Sequence, residues 1–448
     1  MRVLIKTLAF TLAAFLLMPV GVFAQNARTI TLKEVIDLSI SNSKQLKANK
    51  AQILEAIAAT KEATDRRLPD ASVTGSYMFL NSPHINLKTG GTDTANGTGS
   101  KNQPVKVNSA GYALVNLSLP IYAGGRIRYG IESAKYLEQA VSLDAETNKE
   151  EVIINSINAF SNLYKARKAE EVVSESLRQA KARAADFANL ERNGVMARND
   201  YLKAELQASN IELSLLETEK NRRVATANLD VMLGLPAGTE LVPDSNSFVI
   251  PQDARNINEW EQLALQNRKD VAALALREKA AQTGIKATKA EMLPSLALTG
   301  GYVALYVPNL VTVTNAVNIG VGVKYDIGSI WKNKAKVQQA EARVQQYQAN
   351  QEALGEGIRV QVTQDYENFL FSVKKIAVYQ KAIEQAAENY RITKNKFDNA
   401  LVTTTDLLDA EVAQLQSRLN ATLAKADAAV SYQKLLQTTG TLSANSTK

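Results

Sequence analysis

Residues 66–77 read RRLPDASVTGSY, and residues 291–302 read EMLPSLALTGGY. Pro69 falls over Pro294, Gly75 over Gly300 and Tyr77 over Tyr302. After each Leu-Pro the character of the residues alternates. Val73, Gly75, Tyr77 and Phe79 are separated by Thr74, Ser76 and Met78. Period two, with one apolar face and one largely small or polar face, predicts a β-strand. YALVNLSLP (112–120) and VNIGVGVKY (317–325) follow the same rule. Four strands are therefore expected, at 72–80, 112–120, 296–306 and 317–325. They pair into two hairpins. A long polar loop over 81–111 joins the first, and the second turns within VPNLVTVTN (307–315). Lengths of about nine to eleven residues suit tilted membrane strands.

The rest of the chain reads as helix. Residues 121–235 and 309–448 contain no proline, and 131–193 and 195–233 contain no glycine either. Proline costs about 3 kcal/mol inside a helix, so such tracts permit very long ones. From Arg126 to Asn193 a single helix would run about 100 Å. Apolar residues step by three and four at Ile153, Ile157, Phe160 and Tyr164. They do so again at Val362, Tyr366, Phe369 and Val373, and at Leu408, Val412, Leu415 and Leu419. This is coiled-coil spacing. Gly355 and Gly357 predict a local soft spot in the second long helix.

Composition removes most chemistry. There is no cysteine, which excludes a disulfide scaffold, a thiol nucleophile and a cysteine-anchored lipoprotein. The one histidine, His84, lies in the polar stretch NSPHINLK and reads as an ordinary loop residue. No phosphate-binding glycine loop, HExxH or GxSxG pattern occurs. An enzyme is not expected, nor is a metal or cofactor. Residues 1–24 read as a signal peptide: Arg2 and Lys6, an apolar run from Leu8 to Leu17, and Val22-Phe23-Ala24 before the cut. Without Arg2 and Lys6, 50 basic residues face 45 acidic ones, too small an excess to argue for nucleic acid.

A second pair of stretches extends the repeat. GVMARNDYLKAE (194–205) and ALVTTTDLLDAE (400–411) align with Asp200 over Asp406, Leu202 over Leu408 and Glu205 over Glu411. LPIYAGG (119–125) aligns with VKYDIGS (323–329), and Gly234 falls over Gly440. The chain thus divides into a first repeat (25–236), a proline-punctuated linker (237–256), a second repeat (257–440) and a tail (441–448). Each repeat runs helix, strand, strand, very long helix, turn, long helix. Four strands cannot close a membrane barrel, for which about eight is the minimum. An open sheet in lipid leaves backbone groups unpaired. The expected fold is an α+β membrane protein whose trimer closes a barrel of about twelve strands, continued by a coiled-coil α-helical barrel.

In this order and duplication of elements the mature chain, from TLKEVIDLSISN (31–42) to QTTG (437–440), resembles the outer-membrane efflux protein (TolC) family. The Leu-Pro before each hairpin, PIYAGGR and TTTDLLDAE carry the likeness. The resemblance implies a homotrimer in the bacterial outer membrane, with most of its mass in the periplasm. It would serve as the exit duct of a tripartite efflux pump or a type I secretion system. Its partners would be a periplasmic adaptor, an inner-membrane transporter and outer-membrane lipid. The alternative is a periplasmic coiled-coil scaffold with no barrel.

The resemblance also implies roles for single residues. Asp406 and Asp409, with Asp200, match acids that ring the periplasmic aperture. The plainer reading is a solvated face at a helix start, where acids are favoured anyway. The family's tyrosine and arginine that lock the aperture are here Phe397 and Val402, with Asn199 and Asp200 at the partner positions. Arg198 is the candidate substitute. Gly194, Val195, Ala400 and Leu401 form the turns that would dock an adaptor, with Ala400 in place of a family glycine. Tyr77, Phe79, Tyr302 and Tyr306 are candidates for an aromatic girdle.

Overall fold

A computed structural model describes residues 28–81, 83, 107–251 and 253–442. The signal peptide, His84, nearly all of the polar loop and most of the tail lie outside the described residues. In order, the elements are β1 (Arg28–Ile30), α1 (Leu32–Asn42), α2 (Lys44–Asp65), β2 (Asp70–Phe79), β3 (Ser109–Tyr122), α3 (Arg126–Arg192) and α4 (Arg198–Leu233). There follow β4 (Leu241–Pro243), α5 (Ile257–Asn267), α6 (Lys269–Ala290), β5 (Ser295–Val307), β6 (Val311–Lys324), α7 (Ser329–Asp398) and α8 (Thr404–Thr438). All four expected strands form, and the second hairpin turns tightly over 308–310. There Asn309 takes a left-handed φ of 62°. α7 runs unbroken through Gly355 and Gly357, so the glycines do not interrupt the helix. Flanking Ala, Glu and Arg residues hold the helix across both glycines.

Two compact units share the chain. One comprises Met1–Lys44, Lys149–Asn267 and Val360–Lys448; the other is Gln45–Asn148 with Arg268–Arg359. In the first, β1 pairs in parallel with β4, Arg28 against Leu241 and Ile30 against Pro243. Ile30, Phe160, Leu163, Leu229, Leu233 and Leu241 form its buried core. The stretch read as a linker is built into this unit. Phe248 lies 5.6 Å from Phe160 and 4.5 Å from Tyr164, ring to ring. Asp253 accepts from Tyr432 at 3.1 Å, and Arg255 lies 3.8 Å over the Trp260 ring.

The second unit holds the four-stranded antiparallel sheet, in the order β2-β3-β5-β6. Its register puts the apolar sets on one face. Val73 opposes Val115, Val115 opposes Tyr302, and Tyr302 opposes Val317. The same row logic aligns Gly75 with Ala113, and Leu119 with Leu298 and Val321. Ser72, Ser76, Asn116, Thr299 and Asn318 line the other face. Val73, Phe79, Val317, Ile319, Val321 and Val323 are strongly exposed, so none of the described residues covers the apolar face. β2 and β6 each keep one edge unpaired among the described residues.

The sheet joins α3 through Gly124, whose φ is 63°. A Cβ there would lie 2.6 Å from the Ala290 carbonyl oxygen and 2.8 Å from the Leu293 Cβ. Backbone and a short side chain cannot yield. Gly124→Ala is expected to cost about 2–4 kcal/mol, from the left-handed backbone and the overlap together. Gly130→Ala, in open space on α3, should instead gain about 0.5–1 kcal/mol. Thermal melts of the two variants in detergent should move in opposite directions.

Candidate functional site

Both inter-helix turns lie in the first unit and end their long helices identically. Gly194 (φ 73°) donates to the Glu191 carbonyl at 2.9 Å, and Val195 donates to that of Leu190 at 2.9 Å. Ala400 (φ 59°) donates to Phe397 at 2.9 Å, and Leu401 to Lys396 at 2.8 Å. These paired bonds are a Schellman ending, which satisfies two otherwise orphaned carbonyls. Val195 and Leu401 follow the turns, 74% and 72% exposed. Ala400 therefore holds a backbone conformation that glycine adopts more cheaply.

The helices leaving the turns start differently. At α8, Thr403 and Asp406 make a capping box. The Thr403 hydroxyl and amide donate to the Asp406 carboxylate at 2.7 and 2.8 Å. The Asp406 amide donates back to the Thr403 hydroxyl at 3.2 Å. Those two donors, the hydroxyl first, hold the Asp406 carboxyl below the usual range. Asp409, one turn on, is exposed. At α4 the cap position is Ala197, which has no side-chain bond to offer. There Asp200 meets Lys203 at 3.4 Å, and Lys203 reaches the Thr405 hydroxyl at 3.2 Å. That contact links the two turns. Arg198 turns back to Glu191 at 3.7 Å and makes no ion pair with Asp406 or Asp409 among the described residues. Asn199 is exposed and Val402 half-buried.

Phe397, which lacks the hydroxyl of the family tyrosine, stacks on Phe187 at 5.4 Å between centroids. Ala204 and Leu407 complete the buried cluster, with Met196, Tyr201 and Tyr390 packed against it. Behind it lies a polar triad that the sequence reading missed. Arg183 of α3 forms an ion pair with Glu411 of α8 and donates to the Tyr390 hydroxyl of α7 at 2.6 Å. Three helices meet at one guanidinium. Burial pushes the Glu411 carboxyl up, and Arg183 opposes that shift. Of the expected seam, Leu408 is buried and Leu415 and Leu419 pack against the Val173–Ile211 cluster, but Val412 is exposed, and Leu407, Glu411 and Gln414 are buried beside it. A charged residue at a seam position was the available signal.

On the sheet, Tyr77 and Tyr306 both align with Gly111, and the Tyr77 ring covers that glycine. Phe79 packs edge-on against Tyr77 at 5.4 Å. These three stand at the hairpin-loop end of the apolar face. Tyr302 sits four residues deeper, with its hydroxyl accepting the Asn315 amide at 3.2 Å. Among the described residues no helix is long and apolar enough to cross a membrane. Nor does any group of three or more His, Cys, Asp or Glu side chains sit where it could hold a metal ion.

An amphipathic sheet with two edges open among the described residues is joined to helices of 67 and 70 residues. The sequence matches the outer membrane efflux protein family over residues 35–235 and 260–441, and the chain belongs to that family. It is an outer membrane efflux channel protein with a large periplasmic part, and the family is one of ducts, not enzymes. No curated protein matches the chain. Solved structures match its fold at low identity. The outer membrane protein VceC from Vibrio cholerae is 17% identical, covers 91% of this chain and 96% of its own, and has a TM-score of 0.74. The CmeC outer membrane channel of Campylobacter jejuni is 18% identical, over 92% and 86%, with a TM-score of 0.75. The open-state MtrE outer membrane channel of Neisseria gonorrhoeae is 19% identical, over 92% and 89%, with a TM-score of 0.71.

Ala400→Gly is expected to stabilise the protein by about 1 kcal/mol and Gly194→Ala to destabilise it by as much. Chemical denaturation followed by circular dichroism reads both. Glu411 titrates higher folded than unfolded. Its contribution is therefore greatest below the ordinary glutamate range and is lost as pH rises through the folded value. Glu411→Gln should remove that slope above the ordinary glutamate range. Arg183→Ala, which leaves Glu411 buried without its partner, should cost about 3 kcal/mol or more.

Proposed function

We propose that three copies of this chain close a twelve-stranded barrel in the outer membrane and a helical tunnel in the periplasm. The tunnel is the exit duct of a tripartite efflux pump or a type I secretion system. The two open edges of the sheet carry this reading. In hydrocarbon an unpaired edge has no water to satisfy it, so β2 of one copy must meet β6 of the next. Two copies give eight strands, a barrel whose interior side chains fill it; three are the smallest closure that leaves a wide lumen. The dimensions agree. Ten residues separate Leu296, in register with Tyr122, from Tyr306. At about 3.4 Å per residue and a tilt of about 40° they span about 26 Å, the height of a barrel's apolar band.

The helices support the same assembly. α4 exposes Leu202, Leu206, Leu213, Leu216, Val224 and Val231 in steps close to coiled-coil spacing. α7 exposes Phe371, Val378 and Ile392, spaced in multiples of seven. Stripes on different helices suit a head-to-tail ring. The corresponding order of elements in the two halves supports an internal duplication. At the turns, Asp409 is the freest acid. Repeated about the ring, and joined by Asp406 and Asp200, it would form an acidic constriction favouring cations. Adaptor binding at Gly194, Val195, Ala400 and Leu401 would open it. The driving energy would come from an inner-membrane transporter.

The protein should purify as a trimer that needs detergent and should conduct in planar bilayers. Asp409→Asn should lower cation selectivity more than Asp406→Asn, whose carboxylate is committed to the cap. Arg198→Ala should raise conductance at low salt if Arg198 pairs with a neighbouring turn. A monomer soluble without detergent would instead support the periplasmic scaffold.

A further inference from the structure

The end of the sheet opposite the hairpin loop carries a second set of exposed apolar residues. The register slips between Pro120 and Tyr122, leaving Ile121 as an extra, exposed residue. Tyr122 then pairs with Leu296 on the apolar face, and Tyr325 continues that face past Val323. Beyond it a compact turn forms. Gly328 donates to the Asp326 carboxylate at 3.1 Å, and Ser329 to the Asp326 carbonyl at 3.0 Å. This turn leaves Ile327, Ile330 and Trp331 exposed. The Trp331 ring folds back beside Gly328, where an added Cβ would meet it at 3.8 Å. Trp331 is 65% exposed, while Trp260 is 1% exposed. No packing need of the chain explains a tryptophan there.

Basic residues flank this set. Arg67, Arg128, Lys332 and Lys334 are exposed and carry no ion pair among the described residues. Of the nearby acids, Glu62 and Glu291 are engaged by Arg66 and Lys336 and Asp326 by its own turn; Asp65 and Asp70 are exposed without an ion pair among the described residues, and the four cations outnumber them. We propose that Tyr122, Tyr325 and Trp331, with Arg67, Arg128, Lys332 and Lys334, form a belt that binds the phosphate headgroups of anionic phospholipid. The aromatic rings sit at headgroup depth, where an apolar body and a polar tip are both satisfied. The cations supply charge complementarity, and the belt continues the apolar sheet face. This inference rests on the membrane-spanning reading of the sheet.

The test reconstitutes the full-length protein in vesicles and subtracts the emission of Trp331→Phe from that of the unaltered protein. The difference isolates Trp331 without touching the buried Trp260. Lipids brominated near the headgroup should quench that signal, and brominated phosphatidylglycerol more than phosphatidylcholine at equal mole fraction. Each basic residue near an anionic surface favours the charged lipid by a factor of about five. The preference should disappear in the quadruple variant Arg67→Gln, Arg128→Gln, Lys332→Gln, Lys334→Gln. Equal quenching by both lipids would overturn the anionic preference. Quenching by aqueous iodide alone, or by nothing, would overturn the belt: the first places Trp331 in water, the second under a neighbouring copy. Ile319→Trp in the Trp331→Phe background separates the two readings. If that residue is quenched by lipid and Trp331 is not, only the belt fails. If neither is, the membrane-spanning sheet fails with it.

Discussion

Backbone amides and carbonyls set the terms for this chain. In hydrocarbon each must find a protein partner, because no water is present to accept or donate. The four strands satisfy one another through three antiparallel ladders and then stop, with β2 and β6 open. Among the described residues nothing packs against their apolar face. In the assembly proposed above, closure by further copies would answer both deficits at once, and the helices that follow would inherit that ring.

At the turns the molecule relies on different contacts from those its family resemblance suggested. Phe397 cannot donate a hydrogen bond, and Val402 cannot carry a charge. What joins the helices is the stacked Phe187–Phe397 pair and, behind it, Arg183 held between Glu411 and Tyr390. A buried ion pair is a poor source of net stability but is costly to break by removing one partner. Such a contact favours one arrangement of three helices over its alternatives. Asp406 is similarly committed, to its own helix start, which leaves Asp409 as the acid with the freest charge.

The strands were legible because period two is unambiguous once one face is uniformly apolar. Register followed, since slipping one residue would put Ser72 and Asn116 on the apolar face and Val73 and Val115 on the polar one. The turns were legible too: Gly194 and Gly234 mark left-handed endings that Ala400 and Gly440 repeat. The seam of α8 was legible only in part. Leu408 and Leu415 pack as the spacing suggests, but Val412 is exposed and the buried row takes in Glu411, whose burial depends on an arginine 228 residues away. Periodicity sees a helix's own pattern and not the partner that neutralises a charge. The prolines of residues 237–256 do not announce that β4 pairs with β1 or that Phe248 packs on Phe160.

The unit that contains the turns is assembled from three separate stretches of chain. β1 must wait for β4, more than two hundred residues later, and Asp253 waits for Tyr432 near the C-terminus. Contacts so distant in sequence form slowly, because loop closure must precede their reward. A chain crossing the inner membrane from its N-terminus would therefore emerge with most of this core unformed. Until α8 arrives, Asp253 lacks Tyr432 and Arg183 lacks Glu411, and the surfaces that α8 buries stand open to water. Such a sequence calls for escort after translocation, and the order of synthesis, not the final stability, sets the interval during which it is vulnerable to aggregation.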